Sequence, residues 1–291
     1  MHALTSANQY NGENYHKANS LIEIFNAAGF DTYWIDEQAR ALGDNPVNVI
    51  ASASKKFKVV PPNTRALLDE YQEVLNGLDT QKNNLIVLHL AGSHFDYKKR
   101  LPKGYSVQFD DSAGQLGEYA KDENFVNDIL DPYDATIHYT DHILRELNIS
   151  AERASLSPDL FIFFSDHGED VFNEKFHHAS QFTYPMARVP LLLNFSNKWA
   201  SQNAAKAELL RKRVRNVFTL DMIYDTLLGL AGIRGHEYNS MYDIGSLDYK
   251  INLDNAVTMA TGDELNKNLY PKSSVFRISD DTKIIAQENI K

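Results

Sequence analysis

Two short runs gather the residue types that bind metals and move protons. One is Gly92-Ser93-His94; the other is Ser165-Asp166-His167-Gly168-Glu169, followed by the pair His177-His178. A carboxylate beside an imidazole offers oxygen and nitrogen donors that suit zinc or manganese, and zinc takes about four ligands. Asp166 and His167 are therefore the candidate metal pair, with further ligands needed from elsewhere. Adjacent side chains on a strand point to opposite faces. Both can converge on one ion only where the strand ends and the backbone turns, and Gly168 permits such a turn at little steric cost. The plainer reading makes Asp166 a helix cap and His167 a solvated histidine; their place after an apolar strand favours the metal reading.

His94 differs from the other histidines because it follows a Gly-Ser turn directly after an apolar run. One of His177 and His178 lies ten residues past the Asp-His element, close enough to fold back over it. His2, His16, His138, His142 and His236 read as surface residues. His89, inside an apolar run, reads as a packed core residue. The basic run Lys98-Lys99-Arg100 could attract an anion, although a charge run is ordinarily a solvated face.

The elements that must position these residues are legible from periodicity. Residues 20–29 carry apolar side chains at helical spacing, with Ser20 as N-cap, Glu23 three residues later and Gly29 as the stop. Thr32–Ile35 reads as a short strand, 64–79 as a second helix, and Leu85–Leu90 as a strand buried on both faces. The stretch 123–148 reads as a long helix that Pro132 kinks or breaks near its start. Asp159–Phe164 and Val189–Phe195 read as further buried strands, and Asp221–Leu230 as an amphipathic helix closed by Gly229 and Gly232. The tail after about residue 235 is polar and reads as hairpin-like. Strands alternating with helices predict an α/β domain with a largely parallel sheet. Such sheets place their sites at the carboxyl ends of strands, where both polar runs fall.

Composition bounds the rest. The chain has 291 residues, 43% of them hydrophobic, with 29 basic against 39 acidic side chains and a formal charge of −10. That is enough chain for a sizeable core, and the net acidity argues against nucleic acid as a partner. There is no cysteine, so disulfides, thiolate ligands and a cysteine nucleophile are all excluded. No apolar run approaches the roughly 18 residues that would span a bilayer, and the first residues do not read as a signal peptide.

Taken in order, LHLAGSH after one strand, SDHGE after another, and FHH ahead of YPMARVPLLL resemble the phosphoethanolamine transferases. These are bacterial inner-membrane enzymes of the alkaline phosphatase and sulfatase superfamily. The resemblance runs from about residue 19 to about residue 245. It implies an alkaline phosphatase/sulfatase-like α/β fold: a largely parallel central sheet with helices on both faces, in one catalytic domain over 1–291. It also implies a reaction. A threonine attacks phosphatidylethanolamine, a covalent phosphoenzyme forms, diacylglycerol leaves, and phosphoethanolamine passes to an envelope lipid or glycan such as lipid A or a core sugar. Zinc (manganese as a second choice) is held by a glutamate, the threonine and an Asp-His pair that falls on Asp166 and His167. His94 and His178 match histidines that contact the phosphoryl or ethanolamine group or a second metal; His177 is the less favoured of its pair.

The family's threonine precedes a stretch like HALTSAN, which here begins at His2. The resemblance therefore expects the nucleophile just upstream of Met1, and the glutamate ligand and membrane helices further upstream. Thr5 is a secondary candidate whose register is late. On this reading the chain is the carboxyl-terminal part of a membrane-anchored enzyme with this domain in the periplasm, binding metal weakly and nearly inactive by itself. A sulfatase shares the fold but needs a Cys/Ser-x-Pro-x-Arg element, which Ser155-Leu156-Ser157-Pro158 does not supply. A phosphoesterase or phosphoglycerol transferase of the same superfamily would share the anchored architecture or the metal chemistry. A non-catalytic envelope protein that binds or senses lipid would keep the fold without the reaction.

Overall fold

The first regular helix begins with a capping box. Ser20 is extended, its Oγ accepts from the Glu23 N–H at 3.3 Å, and the Glu23 carboxylate accepts from the Ser20 N–H at 3.1 Å. That sets the start of α1, Leu21–Ala27. Its end is a Schellman turn. Gly29 takes φ +85°, the Gly29 and Phe30 N–H groups donate to Asn26 and Phe25, and the Phe25 and Phe30 rings pack at 4.8 Å.

A computed structural model of the chain describes residues 2–38, 46–62, 65–107, 123–156, 158–178, 181–252 and 254–257. After α1 come β1 (Asp31–Asp36), α2 (Pro46–Ser52), β2 (Lys56–Val59), α3 (Ala66–Asn76) and β3 (Asn84–His89). Then follow α4 (Glu123–Phe125), a π-helical turn over Val126–Leu130, α5 (Asp131–Arg153) and β4 (Leu160–Phe164). The chain continues through α6 (Tyr184–Ala187), β5 (Leu191–Phe195), α7 (Asn197–Gln202), α8 (Ala204–Lys212) and α9 (Ile223–Leu230). Residue 64 of the expected second helix, Ser157 and the tail beyond 257 lie outside the described residues.

The strands β2, β1 and β3 form a parallel sheet in that order. Every residue of β1 is buried, as its central place requires. Alternation along β1 divides the core. Tyr33 and Ile35 face Leu67 and Val74 of α3 and Ile143 and Leu147 of α5. Trp34 faces Ile22 of α1 and Ile50 and Ala51 of α2. Helices thus cover both faces of a parallel sheet, the expected α/β arrangement.

The other two strands depart from the expectation. β4 and β5 pair with each other, antiparallel, with Phe161 opposite Asn194 and Phe163 opposite Leu192. Parallel strands need a crossover that packs back over the sheet. The 165–190 connection instead forms the candidate site, and among its described residues the regular helix is the four-residue α6. Burial differs as well: β3 and β4 are half-buried throughout, and β5 leaves Leu191 and Leu192 exposed.

Pro132 sits in the first turn of α5, directly after the π-helical turn. The proline thus marks a change of helix type, and the helix runs on to Arg153. Through 236–257 the tail forms turns and the short 3-10 helix Ser240–Tyr242, with no strand among the described residues. Buried Asp243 organises it, accepting from the Tyr238 hydroxyl at 2.8 Å and the Gly245 N–H at 2.7 Å. A hairpin would need ladder partners; this segment closes turns on itself and bonds to Thr226 of α9 and to Arg213, just past α8.

Candidate metal centre

The site is built where β3 and β4 end. After β4, the Ser165 hydroxyl donates to the His167 carbonyl at 2.7 Å, and Asp166 Oδ1 accepts from the His167 N–H at 3.1 Å. These bonds turn the chain so that Asp166 Oδ1 lies 3.9 Å from His167 Nε2. The Asp166 side chain is 79% exposed. Gly168 takes part for a different reason from the one its type suggested. A Cβ there would lie 2.2 Å from the Pro185 carbonyl oxygen, and its N–H donates to Met186 at 2.8 Å. Close approach of the α6 segment, rather than turn conformation, requires the glycine.

The next loop folds back over this corner. Buried Asp170 accepts from Asn173 Nδ2 at 2.8 Å and the Thr183 hydroxyl at 2.7 Å, and its backbone bridges to Phe176. That return sets His177 beside Glu169, with Nδ1 2.7 Å from Oε1. The Glu169 side chain is nearly buried, and its other oxygen accepts from the Tyr97 hydroxyl at 3.2 Å. Burial and the Glu169 charge push the Tyr97 phenol well above its usual range, so it stays a donor.

Three histidine rings gather here. Centroid separations are 4.6 Å for His167–His177, 4.9 Å for His94–His177 and 6.4 Å for His94–His167. Each ring has Nδ1 against an oxygen: His94 on the Phe95 carbonyl at 2.6 Å, His167 on the Gly168 carbonyl at 3.0 Å, His177 on Glu169. Carbonyl and carboxylate oxygens only accept, so at His167 and His177 a proton on Nδ1 satisfies the contact and Nε2 is the nitrogen that can meet a metal; His94 Nδ1 also lies 3.3 Å from the donor Arg100 Nη2. His167, Glu169 and His177 each offer a ligand atom, all within 4.8 Å of one another. Nitrogen and oxygen donors at this spacing fit zinc.

The structure thus brings His94, Asp166 and His167 to one corner. His178 is exposed, with its N–H on the Lys175 carbonyl. Thr5 is buried and bridges to Ser20 at the entry to α1. His16, His138, His142 and His236 are exposed. His89 is more than a packed core residue: its Nδ1 lies 3.0 Å from Asp36 Oδ2 at the sheet edge. Arg100 holds the His94 loop by donating to the His94 and Phe95 carbonyls. Sequence reasoning assigned no role to Glu169 or Tyr97. The signal for Glu169 lay within the SDHGE run; Tyr97 left none.

The chain matches the sulfatase family over residues 2–233. It is 28% identical over 264 residues to the phosphoethanolamine transferase EptC of Escherichia coli K12, covering 85% of this chain and 44% of that protein. It is 27% identical over 231 residues to the Kdo(2)-lipid A phosphoethanolamine 7''-transferase of the same strain, covering 74% of this chain and 39% of that protein. The chain therefore spans less than half the length of these curated relatives. Among solved structures, the C-terminal periplasmic domain of E. coli EptC in complex with zinc superposes with a TM-score of 0.69 at 24% identity, covering 87% of this chain and 72% of that one. This likeness shows the fold.

Proposed function

Because the chain belongs to the sulfatase family, we propose that it is the metal-bearing part of a phosphoethanolamine transferase. The whole protein would move phosphoethanolamine from phosphatidylethanolamine to an envelope lipid or glycan, with lipid A or a core sugar as acceptor. The observation that carries the reading is the array of His94, His167 and His177 after β3 and β4, with ring centroids 4.6–6.4 Å apart. The two transferases to which the chain is similar support it. The domain would stand on the periplasmic side of a bacterial inner membrane, tied to it by a preceding region. Among the described residues no helix is long and apolar enough to cross a membrane.

Asp166 and His167 would hold zinc, with Glu169 orienting His177 toward the same ion. The nitrogen-rich donor set favours zinc over manganese. When bound, zinc lowers the pKa of an attacking hydroxyl and neutralises charge on the phosphoryl oxygens. His94 supplies the proton chemistry. Beside the reacting oxygens its imidazole would take a proton from the attacking hydroxyl and return it to the departing glycerol oxygen. The attacking threonine belongs, by resemblance, on the N-terminal side of His2. Thr5 is given no part in the attack, since its side chain is buried. A phosphoenzyme then requires a second attack by the acceptor hydroxyl, with the same histidine exchanging roles.

The test is mass spectrometry of lipid A and core sugars from bacteria that make the longer protein containing this domain. Phosphoethanolamine should appear on the acceptor with the parent protein and be lost with Asp166→Ala or His167→Ala. Undiminished modification in both variants removes the metal assignment. Sulfate-ester hydrolysis without transfer would favour a sulfatase instead.

A further inference from the structure

The ladder between β1 and β3 ends at the pair Asp36 and His89. Beyond it, the next residues of the β1 strand continue the pairing mainly through side chains. Asp36 Oδ2 lies 3.0 Å from His89 Nδ1 and also accepts from Trp34 Nε1 at 3.1 Å. The Glu37 N–H donates to the His89 carbonyl at 2.9 Å. Gln38 Nε2 donates to the Leu90 carbonyl at 2.6 Å, and Glu37 Oε2 accepts from the Ala91 N–H at 3.0 Å. Three consecutive residues thus hold three consecutive residues, and only Gly92 and Ser93 separate Ala91 from His94.

From this geometry we propose that Asp36, Glu37 and Gln38 are positioning residues for His94, acting as a clamp that fixes where its loop leaves the sheet. Asp36 is wholly buried and Ala91 is 3% exposed. Losing the Glu37 carboxylate leaves the Ala91 N–H buried without that acceptor, a cost that moves the loop. Arg100 grips the far end of the same loop through the His94 carbonyl. His94 is therefore held from both sides, and the clamp is the side that the sheet makes rigid. Glu37 carries most of the effect. Gln38 is exposed, so water can replace its bond to Leu90.

The functional meaning rests on His94 being a site residue, but the test reads geometry and needs no turnover. The full 291-residue chain is labelled with ring-15N histidine, and His94 is assigned by its loss in His94→Gln. In Glu37→Ala the His94 ring signals should shift, with those of exposed His16 and His236 unchanged. The Ala91 amide should exchange about tenfold faster. Glu37→Gln, whose side-chain oxygen still accepts from the Ala91 N–H, should restore both. Unmoved His94 signals in a folded Glu37→Ala chain overturn the proposal, and so does a Glu37→Gln chain that behaves like the alanine variant. Should Glu37→Ala fail to fold, Glu37→Asp carries the test: its shorter carboxylate pulls away from the Ala91 N–H, a smaller shift of His94 is expected, and none overturns it. Failure here leaves the phosphoethanolamine reading standing, because that reading does not depend on what holds His94.

Discussion

Glu169 and His177 form a carboxylate–imidazole pair, with Oε1 2.7 Å from Nδ1 and the Glu169 side chain only 4% exposed. Its second oxygen is engaged by Tyr97. A carboxylate with both oxygens occupied by side-chain donors serves chiefly to set its partner's tautomer and ring angle. Removing such a partner of a metal-ligating histidine typically costs about 10–100-fold in metal affinity. Glu169→Ala should therefore lower the chain's zinc affinity by that factor in calorimetric titration, and Glu169→Gln, which still accepts from Nδ1, by less. Equal affinity in all three proteins would mean that Glu169 does not orient a ligand.

The adjacent histidines separate two assignments. The resemblance favours His178, whereas the geometry places His177 against Glu169 and His167. His177→Ala is expected to weaken zinc binding at least about tenfold, a loss of about 1.4 kcal/mol, and exposed His178→Ala to leave it within about threefold. The reverse ranking would return the site role to His178.

Gly168 supplies a packing test. The Cβ of Gly168→Ala would press on backbone carbonyl oxygens of Pro185 and Arg188, at 2.2 and 3.1 Å. Backbone cannot move aside like a flexible side chain, so a destabilisation of about 1–3 kcal/mol is expected, together with weaker zinc binding as the 166–169 turn shifts. Denaturant unfolding and zinc titration measure the two. An unchanged unfolding midpoint would mean that α6 yields freely.

Away from the site, burial pushes the Asp225 carboxyl up to about 7, against the lowering effect of the hydrogen bond from the Asn239 N–H. Its value in the unfolded chain is about 3.9. Between these values the folded protein binds the extra proton, so this contribution to stability is lost as pH rises from about 4 to 7. Asp225→Asn should exceed the parent's stability at pH 8 by roughly 2–4 kcal/mol, with the gap closing toward pH 4. Unfolding curves at pH 8 and pH 5 decide it, and a gap independent of pH would contradict the ionisation.

Some of this architecture was legible because its causes are local. The α1 boundaries follow from Ser20, Glu23 and Gly29, all within hydrogen-bond reach along the chain, and the structure has the cap and the stop that those residues dictate. Strands β1, β3, β4 and β5 were legible from apolar runs, whereas β2, Lys56–Val59, has no such run and was missed. Pairing direction was not: nothing within Leu191–Phe195 says that it turns back along β4, because that depends on how the 165–190 connection is spent. Likewise SDHGE marked the corner, but the partnership of Tyr97 with Glu169 joins residues 72 positions apart, and no spacing announces it. His89 illustrates the same limit. Its apolar flanks read as core, while its ring is bonded to a carboxylate 53 positions earlier.

Everything proposed for catalysis depends on Asp166 and His167 holding the metal of a phosphoethanolamine transferase. The most direct measurement is release of diacylglycerol from phosphatidylethanolamine by the purified longer protein that contains this domain, with added zinc, beside its Asp166→Ala and His167→Ala forms. Zinc-dependent release by the parent is expected, with a loss of at least about 100-fold in each variant, a difference of about 2.7 kcal/mol in transition-state stabilisation. Release that persists in both variants, or none by a zinc-loaded parent, would contradict the assignment.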